Sequence, residues 1–229
     1  MTASAPVQDT GQDPTVSSKS TAPWLWLAEI DPATRPDWID AHTAWLSASE
    51  QARLQRILRP QRRAQLMAGH VLLRHLVAAR SGIAAGDVQI RSNPDGRPEL
   101  VGRADLQPSI AHSKRWVAAL LDAGDAAVGV DIEFMQPERQ IEKIVQLACS
   151  VEAGSREQAY LVWVQREAQI KAASGIAPVW VTTWSSHALA ACSHTPPEVA
   201  IVSLESVAPT PVRPLQLSWA SRPPLTMAA

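Results

Sequence analysis

Short apolar runs and long helical segments occupy separate blocks of this chain. In the first half, residues 24–30 form an apolar run that predicts a strand, and residues 38–81 follow with a helical pattern. Pro60 suits the first position of a new helix, and Gly82 suits the end of one. Because helices and strands come in blocks instead of strict alternation, the sequence predicts an α+β fold.

The middle of the chain predicts two strands joined by a turn. Residues 116–121 and 126–133 are apolar runs, and the segment DAGD at 122–125 separates them. Apolar runs around such a turn are typical of a β-hairpin, so we expect these two strands to pair with each other. Another turn is predicted at the segment NPDG, residues 93–96.

The second half predicts a further helical block and four strands. The helical pattern covers residues 138–174, and the strands are predicted at 179–184, 187–191, 199–204 and 215–219. Residues 1–22 contain hardly any large apolar side chain, so we expect a flexible leader there. The rest is expected to divide into an N-terminal lobe at 23–122 and a C-terminal lobe at 123–229.

Composition narrows the class of protein. The chain has 229 residues, of which 46% are hydrophobic, and can therefore bury a sizeable core. Its formal net charge of -1 argues against nucleic acid or an anionic membrane as a partner, so any anion site must be a local patch. Cys149 and Cys192 lack CxxC spacing, no apolar run reaches transmembrane length, and the start does not resemble a signal peptide. We therefore expect a cytoplasmic protein.

Two stretches carry acidic side chains at a spacing that suits a metal ion. In GVDIE, residues 129–133, the β-branched residues predict a strand, which places Asp131 and Glu133 on one face. Two neighbouring carboxylates are tolerated when a cation lies between them, and their hard oxygens suit Mg²⁺. In WVQREAQIK, residues 163–171, Glu167 and Lys171 are four apart on a predicted helix and share a face. Taken singly, each stretch is more often a solvated strand end or a surface ion pair.

Together with three upstream blocks, these stretches resemble the Sfp-type branch of the 4′-phosphopantetheinyl transferases. The upstream blocks are RRAQLMAGHVLLR at 62–74, DGRPEL at 95–100 and SIAHS at 109–113. The similarity runs from about residue 24 to residue 175, with the blocks in the family's order. It implies a pseudo-dimeric, two-lobed α+β fold in which each lobe is an antiparallel sheet packed with helices.

The resemblance also implies a reaction. Such enzymes transfer the 4′-phosphopantetheine arm of coenzyme A to a serine of an apo acyl, peptidyl or aryl carrier protein and release 3′,5′-ADP. These carriers serve fatty acid, polyketide or nonribosomal peptide biosynthesis. The implied cofactor is Mg²⁺, with Mn²⁺ as an alternative. Two similar halves in one chain would make a monomer sufficient.

Matching the motifs assigns roles to single residues. Asp131, Glu133 and Glu167 would bind the metal, and Lys171 would contact a phosphate of coenzyme A. Glu167 would also serve as the general base, with Glu152 as the alternative. The implied coenzyme A-binding residues are Arg97, His112, Ser113, Arg53 and Lys171.

Three positions depart from the family's pattern. Arg166 stands where a lysine is usual, Ala111 where a serine is usual, and Gln65 where an arginine is common. None of them removes a predicted metal ligand, so they bear on efficiency and carrier preference more than on reaction class. Two other functions stay open: a different Mg²⁺-dependent enzyme acting on a nucleotide or pyrophosphate, and a non-catalytic relative that binds coenzyme A or a carrier protein.

Overall fold

The computed structural model describes residues 21–173, 177–205 and 211–225, and the predicted leader therefore lies almost wholly outside the described residues. The described part is an α+β fold. Its helices are α1 (Pro36–Thr43), α2 (Ala48–Arg56), α3 (Pro60–Ser81), α4 (Ile141–Cys149) and α5 (Arg156–Ala172). Its strands are β1 (Trp24–Glu29), β2 (Ile90–Ser92), β3 (Pro98–Leu100), β4 (Leu106–Ser113), β5 (Trp116–Ala123), β6 (Gly129–Phe134), β7 (Val179–Trp184), β8 (His187–Cys192), β9 (Glu198–Val202), β10 (Pro211–Leu215) and β11 (Ala220–Arg222).

The first helical block folds as α1, α2 and α3. As predicted, α3 begins at Pro60 and ends before Gly82, whose φ of +75° is left-handed and costs glycine little. A capping box starts α2: the Ser47 hydroxyl accepts from the Glu50 amide at 3.3 Å, and the Glu50 carboxylate accepts from the Ser47 amide at 2.7 Å. Local sequence signals therefore determine where α2 begins and where α3 begins and ends.

The first sheet has five strands in the order β10-β9-β1-β5-β4. Within it β1 is antiparallel to β5 and parallel to β9. A tight turn at Lys114, with φ 51°, joins β4 and β5 into a hairpin. The predicted turn at 93–96 is confirmed and connects β2 to β3, which form a separate two-stranded sheet.

The predicted hairpin between residues 116–121 and 126–133 is wrong. Strand β5 pairs with β1 on one side and β4 on the other, so neither of its edges is available to β6. Instead β6 pairs with β8 in a second sheet of order β11-β7-β8-β6. The segment at 124–128, where Gly124 has φ +132°, carries the chain from one sheet to the other.

The edge strands β4 and β6 meet through two serine side chains. The Ser109 hydroxyl accepts from the amide of Val130 at 3.1 Å, and the Ser113 hydroxyl accepts from the amide of Phe134 at 2.8 Å. These hydroxyls satisfy backbone donors of β6 that ladder partners would satisfy inside a sheet. The end of the SIAHS block is thereby placed beside the acidic end of β6.

The second half differs from prediction in two places. The helical pattern at 138–174 is two helices, because Ser150 adopts a left-handed conformation with φ 54° and ends α4. Strands at 179–184, 187–191 and 199–204 are confirmed as β7, β8 and β9 within a few residues. The strand at 215–219 is wrong: β10 ends at Leu215, and the chain then crosses to the edge of the second sheet, where β11 pairs with β7.

Three apolar clusters stack the elements in layers. Helix α3 covers one face of the first sheet, and α5 covers one face of the second. The remaining faces of the two sheets pack on each other, with Val130 and Ile132 of β6 in that interface. Side chains alternate along a strand, so Asp131 and Glu133 face the α5 side.

The lobe boundary at 122/123 stays a prediction, and β9 and β10 from the C-terminal half lie in the first sheet beside β1. No helix in the described ranges combines the length and apolar character needed to cross a membrane.

Candidate active site

Close contact between β6 and α5 positions the acidic residues. A Cβ atom placed on Gly129 would lie 1.8 Å from the carbonyl oxygen of Ala168, so only glycine permits this approach. Asp131 lies two residues after Gly129 on β6, and Lys171 lies three residues after Ala168 on α5. The glycine therefore brings the two predicted site segments together.

Asp131 and Lys171 form an ion pair at this contact. The Lys171 Nζ donates to Asp131 Oδ1 at 2.7 Å and to the carbonyl oxygen of Val130 at 3.0 Å. Asp131 is 8% exposed, and its burial raises the pKa of its carboxyl to about 6, against the lowering effect of Lys171. The charges of Glu133 and Glu167 make smaller contributions to the same rise in pKa. Asp131 is thus a buried carboxylate in the field of two others.

Arginines engage the other two carboxylates. Arg139 donates to Glu133 at 3.1 Å, and Arg166 donates to Glu167 at 3.1 Å. Both guanidinium groups also lie over the ring of Trp163, at 5.4 Å for Arg139 and 5.7 Å for Arg166. Each acidic group therefore has a cation of its own.

The carboxylates and the lysine line one cleft of about 280 Å³. Asp131, Glu133, Glu167 and Lys171 border it together with His112 and Trp163, among other residues. The sequence predicted that Asp131 and Glu133 share a face and that Glu167 and Lys171 share a face, and the structure brings all four to the same place. The cleft can receive a group that is both anionic and metal-bound.

A divalent ion suits the chemistry of these donors but not their present orientation. Three carboxylates provide hard oxygens, and their mutual charge effects favour a cation between them. Among the residues that the structure describes, however, no three His, Cys, Asp or Glu side chains are already gathered as a metal-binding group. Metal binding here requires Glu133 and Glu167 to turn away from their arginines.

His112 lies between this cleft and a second one. It lines both, and Arg53 lines the second. Burial, and to a smaller extent the charge of Arg62, lowers the pKa of His112 to about 4. His112 is therefore neutral at pH 7, and both of its ring nitrogens lie close to Arg62 Nη1, at 3.1 and 3.0 Å.

Arg97 and Ser113 are both held by protein groups. Arg97 pairs with Asp95 at 2.5 Å and donates to the carbonyl oxygen of Lys171 at 3.3 Å. It lines a third cleft, which Lys171 also borders. Ser113 donates to Glu133 at 3.1 Å and so orients one of the three carboxylates.

Glu152 lies apart from these groups. It is exposed in the loop between α4 and α5 and is not among the residues that line the carboxylate cleft. Its suggested role as the alternative base stays a prediction.

Sequence reasoning missed Arg62 and Arg139 as site residues. Arg62 contacts a histidine 50 positions away, and Arg139 contacts Glu133 from an irregular segment before α4. Both positions lie inside predicted helical stretches, but their partners lie on strands elsewhere in the chain, so no local spacing indicates these contacts.

No protein-family model matches the chain, but curated proteins do. The chain is similar to two proteins named as 4′-phosphopantetheinyl transferases. One is "Putative 4'-phosphopantetheinyl transferase slr0495" of Synechocystis sp., 32% identical over 162 residues, which are 66% of this chain and 64% of that protein. Another is "4'-phosphopantetheinyl transferase HetI" of Nostoc sp., 25% identical over 126 residues, 53% of this chain and 52% of that protein. The chain thus spans about half to two thirds of the length of these relatives.

Proposed function

We propose that this chain is an Sfp-type 4′-phosphopantetheinyl transferase. It would move the phosphopantetheine arm of coenzyme A to a serine of an apo acyl, peptidyl or aryl carrier protein. The observation that carries the proposal is the single cleft shared by Asp131, Glu133, Glu167 and Lys171. Similarity to two proteins of that name supports the same class.

The chain's own residues can perform the steps of this transfer. The serine oxygen would form a bond to the β-phosphorus of coenzyme A, the bond to 3′,5′-ADP would break, and the serine proton would pass to Glu167. Lys171 would hold a phosphate oxygen, which places the reacting phosphorus near the base. Glu152 is the alternative base, and the coenzyme's other phosphates would meet Arg53, Arg97 and His112, with Ser113 nearby.

A divalent metal completes the proposal. Asp131, Glu133 and Glu167 would hold Mg²⁺, or Mn²⁺ as the alternative, and the ion would neutralise charge on the pyrophosphate. Glu133 and Glu167 would exchange their arginines for the metal, which frees Arg139 and Arg166 to face phosphate oxygens.

The same proposal includes the fold, the oligomeric state and the cellular location. The two sheets, each with its own helix, suit the two-lobed fold implied by the sequence, and a monomer would suffice. Both cysteines are free thiols, which suits a cytoplasmic enzyme.

A non-catalytic relative that binds coenzyme A or a carrier protein is the second candidate. It is favoured by one observation: every acidic group of the cleft already faces a cation, so the site is electrostatically satisfied without a metal.

One experiment separates the two candidates. The purified protein is incubated with Mg²⁺, coenzyme A and a panel of apo carrier proteins, and the mass of each carrier is measured. A metal-dependent gain of one phosphopantetheine group supports the transferase. No gain on any carrier, with coenzyme A binding retained, would support the binding protein instead.

A further inference from the structure

The second cleft beside the carboxylates collects positive charge. It has a volume of about 120 Å³ and is lined by Arg53, Arg62 and His112, with His70 and Gln65 behind them. Of its lining residues in the described ranges, none is Asp or Glu, although the whole chain carries a net charge of -1. Two arginines in a cleft that no carboxylate lines favour the binding of an anion.

Arg62 differs from the other arginines near the site. Arg97, Arg139 and Arg166 each pair with a carboxylate. In the described part of the chain, no ion pair joins Arg62 to an acidic side chain, and its Nη1 atom instead lies beside a neutral histidine ring. Arg62, like Arg53 in the same cleft, therefore carries a charge that is available to a ligand, and Arg62 is the one that contacts His112.

A buried glutamine orients Arg62. Gln65 is 5% exposed, and its Oε1 atom accepts from Arg62 Nη1 at 3.1 Å. Its Nε2 atom donates to the carbonyl oxygen of Lys114 at 2.9 Å, in the turn between β4 and β5. Because both ends of the amide are engaged, Gln65 holds the arginine beside His112, although Arg62 itself is exposed.

We propose that Arg62 is a phosphate-binding residue of this cleft, aimed by Gln65, and that it leaves the ring of His112 when a phosphate monoester enters. Guanidinium binds phosphate through paired N–H groups, which an uncharged imidazole cannot match as a partner. The identification of the monoester as the 3′-phosphate of coenzyme A rests on the proposed function. Gln65, one of the departures from the family's pattern, is thus a positioning residue.

Ligands with and without the 3′-phosphate test this assignment. The dissociation constants of coenzyme A and 3′-dephospho-coenzyme A are measured by calorimetry for the wild-type protein and for Arg62→Gln. We expect Arg62→Gln to weaken coenzyme A binding roughly ten- to a hundredfold, because it removes a charged hydrogen bond. Binding of 3′-dephospho-coenzyme A should be unchanged.

Matched variants control for general effects. Arg63→Gln removes a neighbouring exposed arginine that lines a different cleft, and it should preserve both affinities. Arg62→Lys should recover part of the lost affinity. Gln65→Leu should reduce the preference for coenzyme A, with no further loss when combined with Arg62→Gln, whereas a purely structural defect would weaken both ligands alike.

The outcomes distinguish this proposal from the proposed function. If the wild-type protein prefers coenzyme A and Arg62→Gln keeps that preference, the role of Arg62 is wrong and the transferase proposal stands. If the wild-type protein binds neither ligand, the proposed function and the identification of the phosphate are both overturned.

Discussion

Each carboxylate of the carboxylate cleft pairs with a different cationic side chain. Asp131 pairs with Lys171, Glu133 with Arg139 and Glu167 with Arg166. Each cation offsets part of the repulsion that three neighbouring carboxylates would otherwise exert on one another.

Alanine substitutions test which carboxylate does the chemistry. Glu167→Ala and Asp131→Ala should lower carrier labelling by at least about a hundredfold, because base and metal ligation are lost. Glu152→Ala should cost far less, since Glu152 is exposed and outside the cleft. Glu157→Ala, at an exposed position on α5, is the control and should retain wild-type labelling. Labelling that survives both Glu167→Ala and Asp131→Ala would refute the site.

At this scale the sequence predicted the spacing of like residues but not the partners of single side chains. The period of a strand placed Asp131 and Glu133 together, and the period of a helix did the same for Glu167 and Lys171. The contacts of Arg62 and Arg139 depend on how separate elements pack, which no local period encodes.

The contact of β6 with α5 depends on one glycine. Gly129→Ala should destabilise the protein by about 3 kcal/mol, because the added methyl group would overlap the Ala168 carbonyl and push the helix away. Gly82→Ala adds a methyl group in open space and should cost only about 1 kcal/mol through its left-handed backbone. Urea unfolding of both variants measures the difference. Equal losses of stability in the two variants would show that the close approach of β6 to α5 is unimportant.

A buried ion pair joins α2 to α3. Glu50 receives two hydrogen bonds from Arg74, at 2.7 and 3.0 Å, and lies 2.5 Å from His70 Nδ1. Burial alone would raise the pKa of Glu50, but hydrogen bonds to His70 and Arg74 outweigh it and lower the pKa from 4.5 to about 2. The folded pKa lies below the unfolded one, so this stabilisation is complete above pH 4.5 and is lost as pH falls towards 2.

Glu50→Gln should therefore remove a pH-dependent contribution to the free energy of unfolding. At pH 6 the variant should be about 3 kcal/mol less stable than the wild-type protein, since Arg74 is left buried without its partner. The difference should shrink as the pH is lowered from 5 to 2. Urea unfolding across this range measures it, and a difference that stays constant with pH would contradict the assignment.

The elements themselves were largely predictable from the sequence, but their pairing was not. Pro60 and Gly82 defined α3 through local backbone preferences, and most strands followed from apolar runs. The predicted hairpin failed because two other strands pair with β5. One of them, β4, directly precedes β5 in the sequence, and the other, β1, lies far upstream. Strand pairing is a tertiary outcome, and an apolar run does not encode it.

At the scale of the molecule, the two sheets pack on each other through one shared apolar interface. Strand β9 lies beside β1 in the first sheet, and residues from both sheets fill the interface between them. A fragment of residues 21–123 would expose the β1 edge and one apolar face, so we expect no cooperative unfolding transition. Circular dichroism during thermal unfolding tests this, with the full chain as the control. A cooperative fragment would show that the predicted N-terminal lobe folds on its own.

The most direct test of the account follows both products of one reaction. The protein is mixed with Mg²⁺, coenzyme A and an apo carrier protein, and modified carrier and released 3′,5′-ADP are measured together over time. We expect one 3′,5′-ADP for each modified carrier and no release without the carrier or the metal. Release of 3′,5′-ADP with no modified carrier, or neither product with any carrier, would contradict it.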